Sequence, residues 1–237
     1  MPAFLNIPAI LTAAAMAALA APVDAQIVPG GQGGLGRSSG ISRPGEGIPS
    51  SPAASDKPDA AATKAYTAGL KSLAKAHDYE SAAAAARNPD KKAAALEKME
   101  DAYYRALDQF TEALSNKGDL YDAWNKVGYI HLRLGAYAES VDDYNHTLAL
   151  QPDLPEAILH RAEAYIGVDR LDEAKAAYMD LFNHVRPLAD ELMSAMRKWL
   201  GDHRADARGM RASTVDAFGQ WLEEREGIAK ETASLPH

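Results

Sequence analysis

The sequence contains no cysteine among its 237 residues. This absence excludes disulfide bonds, a thiolate nucleophile and thiolate metal ligands, and it also excludes the lipidated cysteine that anchors exported lipoproteins. Basic residues are few as well, 25 against 33 acidic residues, which gives a net charge of -8. A protein that binds nucleic acid or an anionic membrane surface needs a basic patch, so the charge balance disfavours both kinds of partner.

Lysine and arginine are missing altogether before Arg37. Within this stretch, residues 10–21 form an apolar, alanine-rich run that is too short for a comfortable membrane span. It is followed by Val23, Asp24 and Ala25, which end in the small residues that a signal peptidase accepts. We predict a signal peptide at residues 1–25, cleaved after Ala25, and a periplasmic or secreted protein, although the usual positively charged start is missing. The alternative is a cytoplasmic protein.

Apolar residues are sparse in residues 26–57, where glycine, proline and serine dominate. Such a segment buries too little apolar surface to offset the entropy of ordering the chain. We therefore predict a disordered linker there, with helix from residue 58 onward. The paired glycines do not form a phosphate-binding loop, because no strand precedes them and no Gly-Lys-Ser/Thr follows.

The rest of the chain contains a repeat. Residues 121–154 form one helix–turn–helix pattern, and residues 155–188 repeat its plan at the same length. A period of about 34 residues is typical of tandem helix pairs, which bury their apolar faces only by stacking on their neighbours. The pattern therefore predicts an extended array of stacked helix pairs.

Five positions of the first clear unit define this pattern. Trp124 and Gly128 lie in the first helix, Gly135 ends it, Tyr144 lies in the second helix, and Pro152 closes the unit. We expect Trp124 in the core, Gly128 where the second helix packs closely, and Gly135 at positive φ. This spacing resembles the tetratricopeptide repeat family. The resemblance implies an all-α, right-handed solenoid of about three helix pairs, spanning residues 58–188.

The unit upstream, at about residues 61–120, is distorted by an insertion. We expect its first helix at residues 61–76, followed by a turn at residues 77–82, whose sequence HDYESA resembles the family's turn. Pro89 interrupts the insertion, and helix resumes near Asp90. That second helix carries an apolar stripe with a spacing of three to four residues: Leu96, Met99, Tyr103, Leu107, Phe110 and Leu114.

Residues 189–231 depart from the repeat and contain two amphipathic stretches. The exposed last face of an array must be covered for the protein to be soluble, so we predict that residues 189–231 form capping helices. The alternative is that Trp199 and Trp221 belong to a second contact surface, because exposed aromatic residues mark interfaces.

Catalytic and metal-binding patterns are absent from the sequence. The seven histidines form no His-Glu-x-x-His pair, and we expect His131 to be a partly buried, hydrogen-bonded imidazole. Glu139, Asp142 and Asp143 are interpreted as a solvated acidic face. Since no convergent set of reactive groups is evident, we predict no enzyme, no metal and no cofactor.

The family resemblance implies where a partner binds. In tetratricopeptide proteins, five places on the first helix of each unit line the concave face of the array. Carried over residue by residue, these places fall on Asp122, Asn125, Tyr129, Leu132 and Arg133 in the first clear unit and on Glu156, Leu159, Glu163, Ile166 and Gly167 in the second. All of them except Gly167, together with the adjacent His160, are the candidate partner-binding residues.

These candidates predict a scaffold that binds a protein or peptide segment, with contacts centred on Tyr129, Arg133 and Leu159. Aromatic and arginine side chains are frequent at binding hot spots. The acidic flanks favour a basic partner. The alternative is a structural subunit of a stable envelope or secretion complex, which would hide apolar faces such as the stripe at residues 96–114.

Overall fold

The computed structural model describes residues 56–205 and 212–233. The expected signal peptide at residues 1–25 and nearly all of the expected linker at residues 26–57 lie outside the described residues, so both remain predictions. The regular secondary structure of the described ranges consists of α-helices. Within them, no helix combines the length and the apolar character that a membrane crossing requires.

Eight helices are described, and they follow one another with short connections. Their bounds are α1 (Asp56–Ala85), α2 (Pro89–Asn116), α3 (Tyr121–Leu134), α4 (Tyr137–Leu150), α5 (Pro155–Gly167), α6 (Leu171–His184), α7 (Arg186–Ala205) and α8 (Ala212–Ala233).

The first six helices form three stacked pairs, which confirms the predicted all-α solenoid. Helix α1 packs on α2, α3 on α4 and α5 on α6, and each pair contacts the next through α2–α3 and α4–α5. Helix α7 contacts both α5 and α6, as α5 contacts both α3 and α4. The C-terminal pair α7–α8 therefore continues the stacking and covers the last face of the array.

The first pair differs from the expectation for residues 77–82, because α1 continues through the predicted turn. The sequence that follows is rich in alanine and contains no glycine or proline before Pro89, so nothing ends the helix there. The chain reverses at Asn88 instead, whose side chain accepts hydrogen bonds from the backbone N–H groups of Asp90 and Lys91 at 2.8 and 3.1 Å. Helices α1 and α2, at 30 and 28 residues, are about twice as long as the 13–14 residues of the next four helices.

Two of the expected glycine roles are confirmed in the second pair. Gly128 lies against α4, where an added Cβ would be 3.1 Å from the Tyr144 ring and 3.2 Å from Asp143 Cβ. Gly135 caps α3 with φ of 79°, in the left-handed region that side chains rarely adopt.

Trp124 lies less deeply than expected. Its ring is partly buried and stacks on His146 of α4 at a centroid distance of 4.4 Å. The indole Nε1–H donates to the carbonyl of Gly118 at 2.9 Å, which keeps this edge of the ring beside the loop before α3. The interior of the pair is filled by smaller residues, such as Ala123 and Val127.

The apolar stripe of α2 is covered within the chain itself. Met99, Tyr103 and Phe110 are buried and pack with Leu73 of α1 and Ile130 of α3 in one core cluster. The stripe therefore does not form an apolar surface that awaits a partner.

Both tryptophans of the C-terminal pair take part in internal packing. Trp199 is only 8% exposed, stacks on His203 and meets the edge of Phe218 at 5.3 Å. Trp221 is partly buried and contacts Tyr178 of α6 at 5.5 Å. These contacts hold the pair onto the array, so the idea that Trp199 belongs to an exposed contact surface is wrong.

Candidate partner-binding face

The first helices of the three pairs, α1, α3 and α5, bring their side chains together on one face. Each of them contributes one ring and, three or four residues later, one charged group. Residues at this spacing lie on the same side of a helix. We call these six residues the ring-and-charge row: His77 and Glu80 on α1, Tyr129 and Arg133 on α3, and His160 and Glu163 on α5.

The rings of the row meet edge to face across the helix boundaries. Tyr129 contacts His77 with a centroid distance of 5.7 Å and an interplanar angle of 87°. On its other side it contacts His160 at 5.9 Å and 63°. Aromatic rings favour this arrangement because the edge of one faces the electron-rich face of the other. Tyr129 is thus held between two imidazoles that belong to neighbouring pairs.

The charges of the row are unequally paired. Arg133 forms an ion pair with Glu80, and the two side chains are only 15% and 19% exposed. Glu163 is the second carboxylate near Arg133. Burial lowers the pKa of Arg133, whereas the negative charge of Glu163 acts in the opposite direction. Glu163 itself lies beside His160, with 3.1 Å between Oε2 and Nδ1. The guanidinium of Arg133 therefore has two carboxylates nearby, and it forms its ion pair with Glu80.

Two fully buried tyrosines, Tyr103 and Tyr144, lie beneath the row. The hydroxyl of Tyr103 on α2 is hydrogen-bonded to the hydroxyl of Tyr129 and lies 3.5 Å from Glu80 Oε2. Burial raises the pKa of Tyr103, Tyr129 and Tyr144, so all three stay protonated at neutral pH and remain hydrogen-bond donors.

Three buried polar atoms around the row make no hydrogen bond within the part of the chain that is described. They are Nε of Arg133, Oη of Tyr144 and Oε1 of Glu163. A buried polar group without a partner costs about 1–3 kcal/mol. Such groups in native proteins usually mark a bound water or a functional role. The face therefore has unused capacity to form hydrogen bonds.

The predicted partner-binding residues do not all lie at the surface. Asp122 and Glu156 are exposed in the first turns of α3 and α5. Six others are partly buried: Asn125, Tyr129, Leu132, Arg133, His160 and Glu163.

The remaining two candidates belong to the core and need correction. Leu159 is 2% exposed and Ile166 is 5% exposed, and both lie in the cluster that joins α5 to the C-terminal helices. The face cannot be centred on Leu159, because α7 packs on α5 where the resemblance implied an open position.

Sequence reasoning missed His77 and Glu80. It placed both in a turn, whereas the continuation of α1 carries them to Tyr129 and Arg133. The signal that could have found them is the absence of a helix-ending residue between position 77 and Asn88.

A second polar pair connects α3 and α4 away from the row. His131 Nδ1 lies 2.6 Å from Asp143 Oδ2, and the imidazole is partly buried, as expected. Asp143 is buried as well, so its assignment to a solvated face was wrong, whereas Glu139 and Asp142 are exposed. Burial raises the pKa of Asp143, and the hydrogen bond and charge of His131 partly counteract it. Across the described ranges, no group of three or more histidines and carboxylates is placed to hold a metal ion.

Comparison with known proteins agrees with this fold. Residues 121–154, which form α3 and α4, match the family described as the tetratricopeptide repeat. The chain is also similar to the "Protein SGT1 homolog" of Oryza sativa subsp. japonica, with 30% identity over 96 residues. That alignment covers 40% of this chain and 26% of the rice protein, so the chain spans about a quarter of the length of this curated relative. A tetratricopeptide repeat is therefore present at residues 121–154.

Proposed function

We propose that this chain is a non-catalytic scaffold that binds a segment of another protein along the face formed by α3 and α5, with the end of α1 at its edge. The observation that carries the proposal is the ring-and-charge row, in which contacts between rings and charges join three successive helix pairs into one continuous face. Tetratricopeptide repeats, one of which matches residues 121–154, point to protein–protein interaction. A partner that crosses this face would contact more than one pair.

The charges at one end of the face favour a basic partner segment. Asp122 and Glu156 are exposed at the starts of α3 and α5, and Asn125 is partly exposed one turn further along α3. Asp122 also lies close to Tyr66 of α1, since burial first and the charge of Asp122 second raise the pKa of that tyrosine. An acidic edge beside an aromatic ring suits lysine and arginine side chains. We expect micromolar affinity that weakens as salt screens the acidic edge.

A structural subunit of a stable envelope or secretion complex is the alternative function. Its main support in the sequence was the apolar stripe of α2, which is covered by α1 and α3. Light scattering after size-exclusion chromatography distinguishes the two functions. A monomer supports the scaffold, and an obligate oligomer supports the subunit.

The location that we propose is the cell envelope, after export and cleavage behind Ala25. The support is the apolar run at residues 10–21 followed by small residues. N-terminal sequencing of the protein from its native host tests this directly. A mature chain that starts at Gln26 supports export, and an intact Met1 in the cytoplasm contradicts it.

Affinity capture from the exported fraction tests the binding face. The test variant Asp122→Lys/Glu156→Lys reverses two charges at the starts of α3 and α5. The control variant Glu139→Lys/Asp172→Lys reverses two exposed charges at the starts of α4 and α6, so it bears the same helix-dipole cost. We expect the test variant to lose partners that the control and the wild type retain. Equal recovery by all three folded proteins would show that this face is not the site.

A further inference from the structure

The C-terminal third of α1 lies across the boundary between the first two helix pairs. We call residues 77–85 the strap. Through His77 it touches Tyr129, and through Glu80 it holds Arg133. The two residues that the strap engages on α3 are the same two on which the proposed partner-binding face is centred.

We propose that the strap is an autoinhibitory contact: it occupies part of the binding face in the free protein, and it opens when Arg133 exchanges Glu80 for Glu163. This inference rests on the proposed function only in that the contact is called autoinhibitory. The opening itself is a property of the free chain and is measured without a partner.

The strap is held on α3 by few contacts. Of its nine residues only Ala83 is buried, and only Tyr79 and Glu80 are partly buried. An alanine side chain removes little apolar area from water, so burial stabilises the strap far less than it stabilises the larger core residues. Tyr79 packs against the core cluster that joins α1, α2 and α3, and its ring centroid lies 6.0 Å from Lys98 Nζ of α2. The ion pair of Glu80 is the main polar contact that ties the strap to α3, beside the ring contact of His77.

Arg133 has an alternative partner on the opposite side. Glu163 of α5 is close enough to influence the pKa of Arg133. One carboxylate oxygen of Glu163 and the Nε of Arg133 are both buried without a hydrogen bond in the described residues. If Glu80 leaves, pairing of Arg133 with Glu163 satisfies both atoms. Loss of one ion pair is thereby offset by another, which makes opening of the strap less costly than a simple rupture.

Opening changes what the face offers to a partner. With the strap closed, His77 covers one edge of Tyr129, and Glu80 occupies the guanidinium of Arg133. With the strap open, that edge of the tyrosine ring becomes accessible. Segments that move in this way belong to the least stable parts of a fold, which open locally without global unfolding.

The absence of cysteine provides a clean assay. In Ala83→Cys, the new thiol lies at the one buried position of the strap, and 5,5′-dithiobis(2-nitrobenzoate) labels it only when the strap opens. A reference variant, Ala123→Cys, places the thiol at a fully buried site on α3 and reports wider unfolding.

We expect Glu80→Gln to accelerate labelling of the Ala83→Cys protein about tenfold, the equivalent of one charge-assisted hydrogen bond. Glu163→Gln should slow the same labelling severalfold, because it removes the charge that receives Arg133. The control Glu97→Gln, at an exposed position on α2, should leave the rate unchanged, and labelling of Ala123→Cys should be the same in every background.

Hydrogen exchange on the cysteine-free protein provides a second measurement in case Ala83→Cys folds poorly. Amides of residues 79–85 should exchange faster in Glu80→Gln and slower in Glu163→Gln, while those of α5 stay unchanged. An unchanged rate in either variant, or a faster rate in Glu163→Gln, overturns the proposal. If the strap responds as expected while the charge-reversed face captures the same partners, the proposed function fails and the opening of the strap still stands.

Discussion

The ring of Tyr137, in the first turn of α4, lies directly against the backbone of Gly167, in the last turn of α5. A Cβ added at Gly167 would overlap three ring atoms of Tyr137. This contact joins the second helix pair to the third.

Replacement of Gly167 by alanine should therefore destabilise the array. We expect Gly167→Ala to lower the free energy of unfolding by about 1–3 kcal/mol, because the tyrosine ring must move out of a packed contact. Urea denaturation followed by circular dichroism measures the change. Gly201→Ala in α7 is the matched control, since an added Cβ there meets no atom within 4 Å. If Gly167→Ala lowers the free energy of unfolding no more than the control does, the Tyr137 ring is free to shift.

A different glycine tests backbone strain alone. At Gly135 an added Cβ meets nothing within 4 Å, but φ is 79°. Gly135→Ala should cost about 1–2 kcal/mol, the penalty of a left-handed conformation for an ordinary residue. Gly227→Ala, in the interior of α8 and equally free of neighbours, should stabilise the protein by about 0.5–1 kcal/mol. In urea denaturation, we expect the two variants to change the free energy of unfolding in opposite directions. Changes in the same direction would contradict the positive φ of Gly135.

The partial burial of Trp124 makes a comparison with Phe110 informative. Phe110 is fully buried, and Phe110→Ala should cost about 3–5 kcal/mol. Trp124→Ala should cost clearly less, because its ring is stacked on His146 at the margin of the core and loses mainly this contact and one hydrogen bond. A loss for Trp124→Ala as large as that for Phe110→Ala would place the indole in the core after all.

The strap should also respond to pH through His77. Partial burial first, and the positive charges of Arg133 and Lys126 next, lower the pKa of His77. The folded state therefore favours the neutral imidazole, and His77 binds a proton more readily in the unfolded chain than in the folded one. The stability that this preference contributes is fully present above the ordinary histidine pKa of about 6.5, and it is lost as pH falls from there through the pKa of the folded state.

Hydrogen exchange of residues 79–85 should consequently become faster below about pH 6.5, after correction for the intrinsic pH dependence of exchange. His77→Asn should remove most of this additional dependence. The groups around the imidazole are Asp78 and Glu80 on the same helix, Tyr103 on α2, and Lys126, Tyr129 and Arg133 on α3. An NMR titration of the His77 ring checks the direction of the pKa shift, and a value above the ordinary one would contradict the prediction.

The sequence was most informative where structure is decided locally. Gly135 ends α3 because it adopts positive φ, and Pro89 begins α2 because the first turn of a helix needs no N–H group there. The repeat at residues 121–154 was found for the same reason, since its large and small residues recur at fixed spacing.

Features that depend on distant residues were beyond this reasoning. The continuation of α1 past residue 76 has a local signal, the absence of a helix-ending residue, but its packing along α2 does not. Burial of Leu159 depends on α7, which lies outside the clear repeats. Asp143 was assigned to a solvated face. Its partner, His131, lies on a different helix, so the spacing of residues within α4 could not reveal the contact. The ion pair between Arg133 and Glu80 was missed in the same way, because Glu80 lies on a different helix.

The unequal length of the helix pairs has a consequence for assembly. A regular stack has no intrinsic end, because a further pair, or a second copy of the chain, can add to either terminus. Here the first pair exceeds its neighbours by roughly 20 Å, at 1.5 Å of rise per helical residue. A pair of ordinary length that stacked on α1 would leave much of that helix uncovered. We therefore expect the long hairpin to disfavour head-to-tail addition of further pairs at this end of the array.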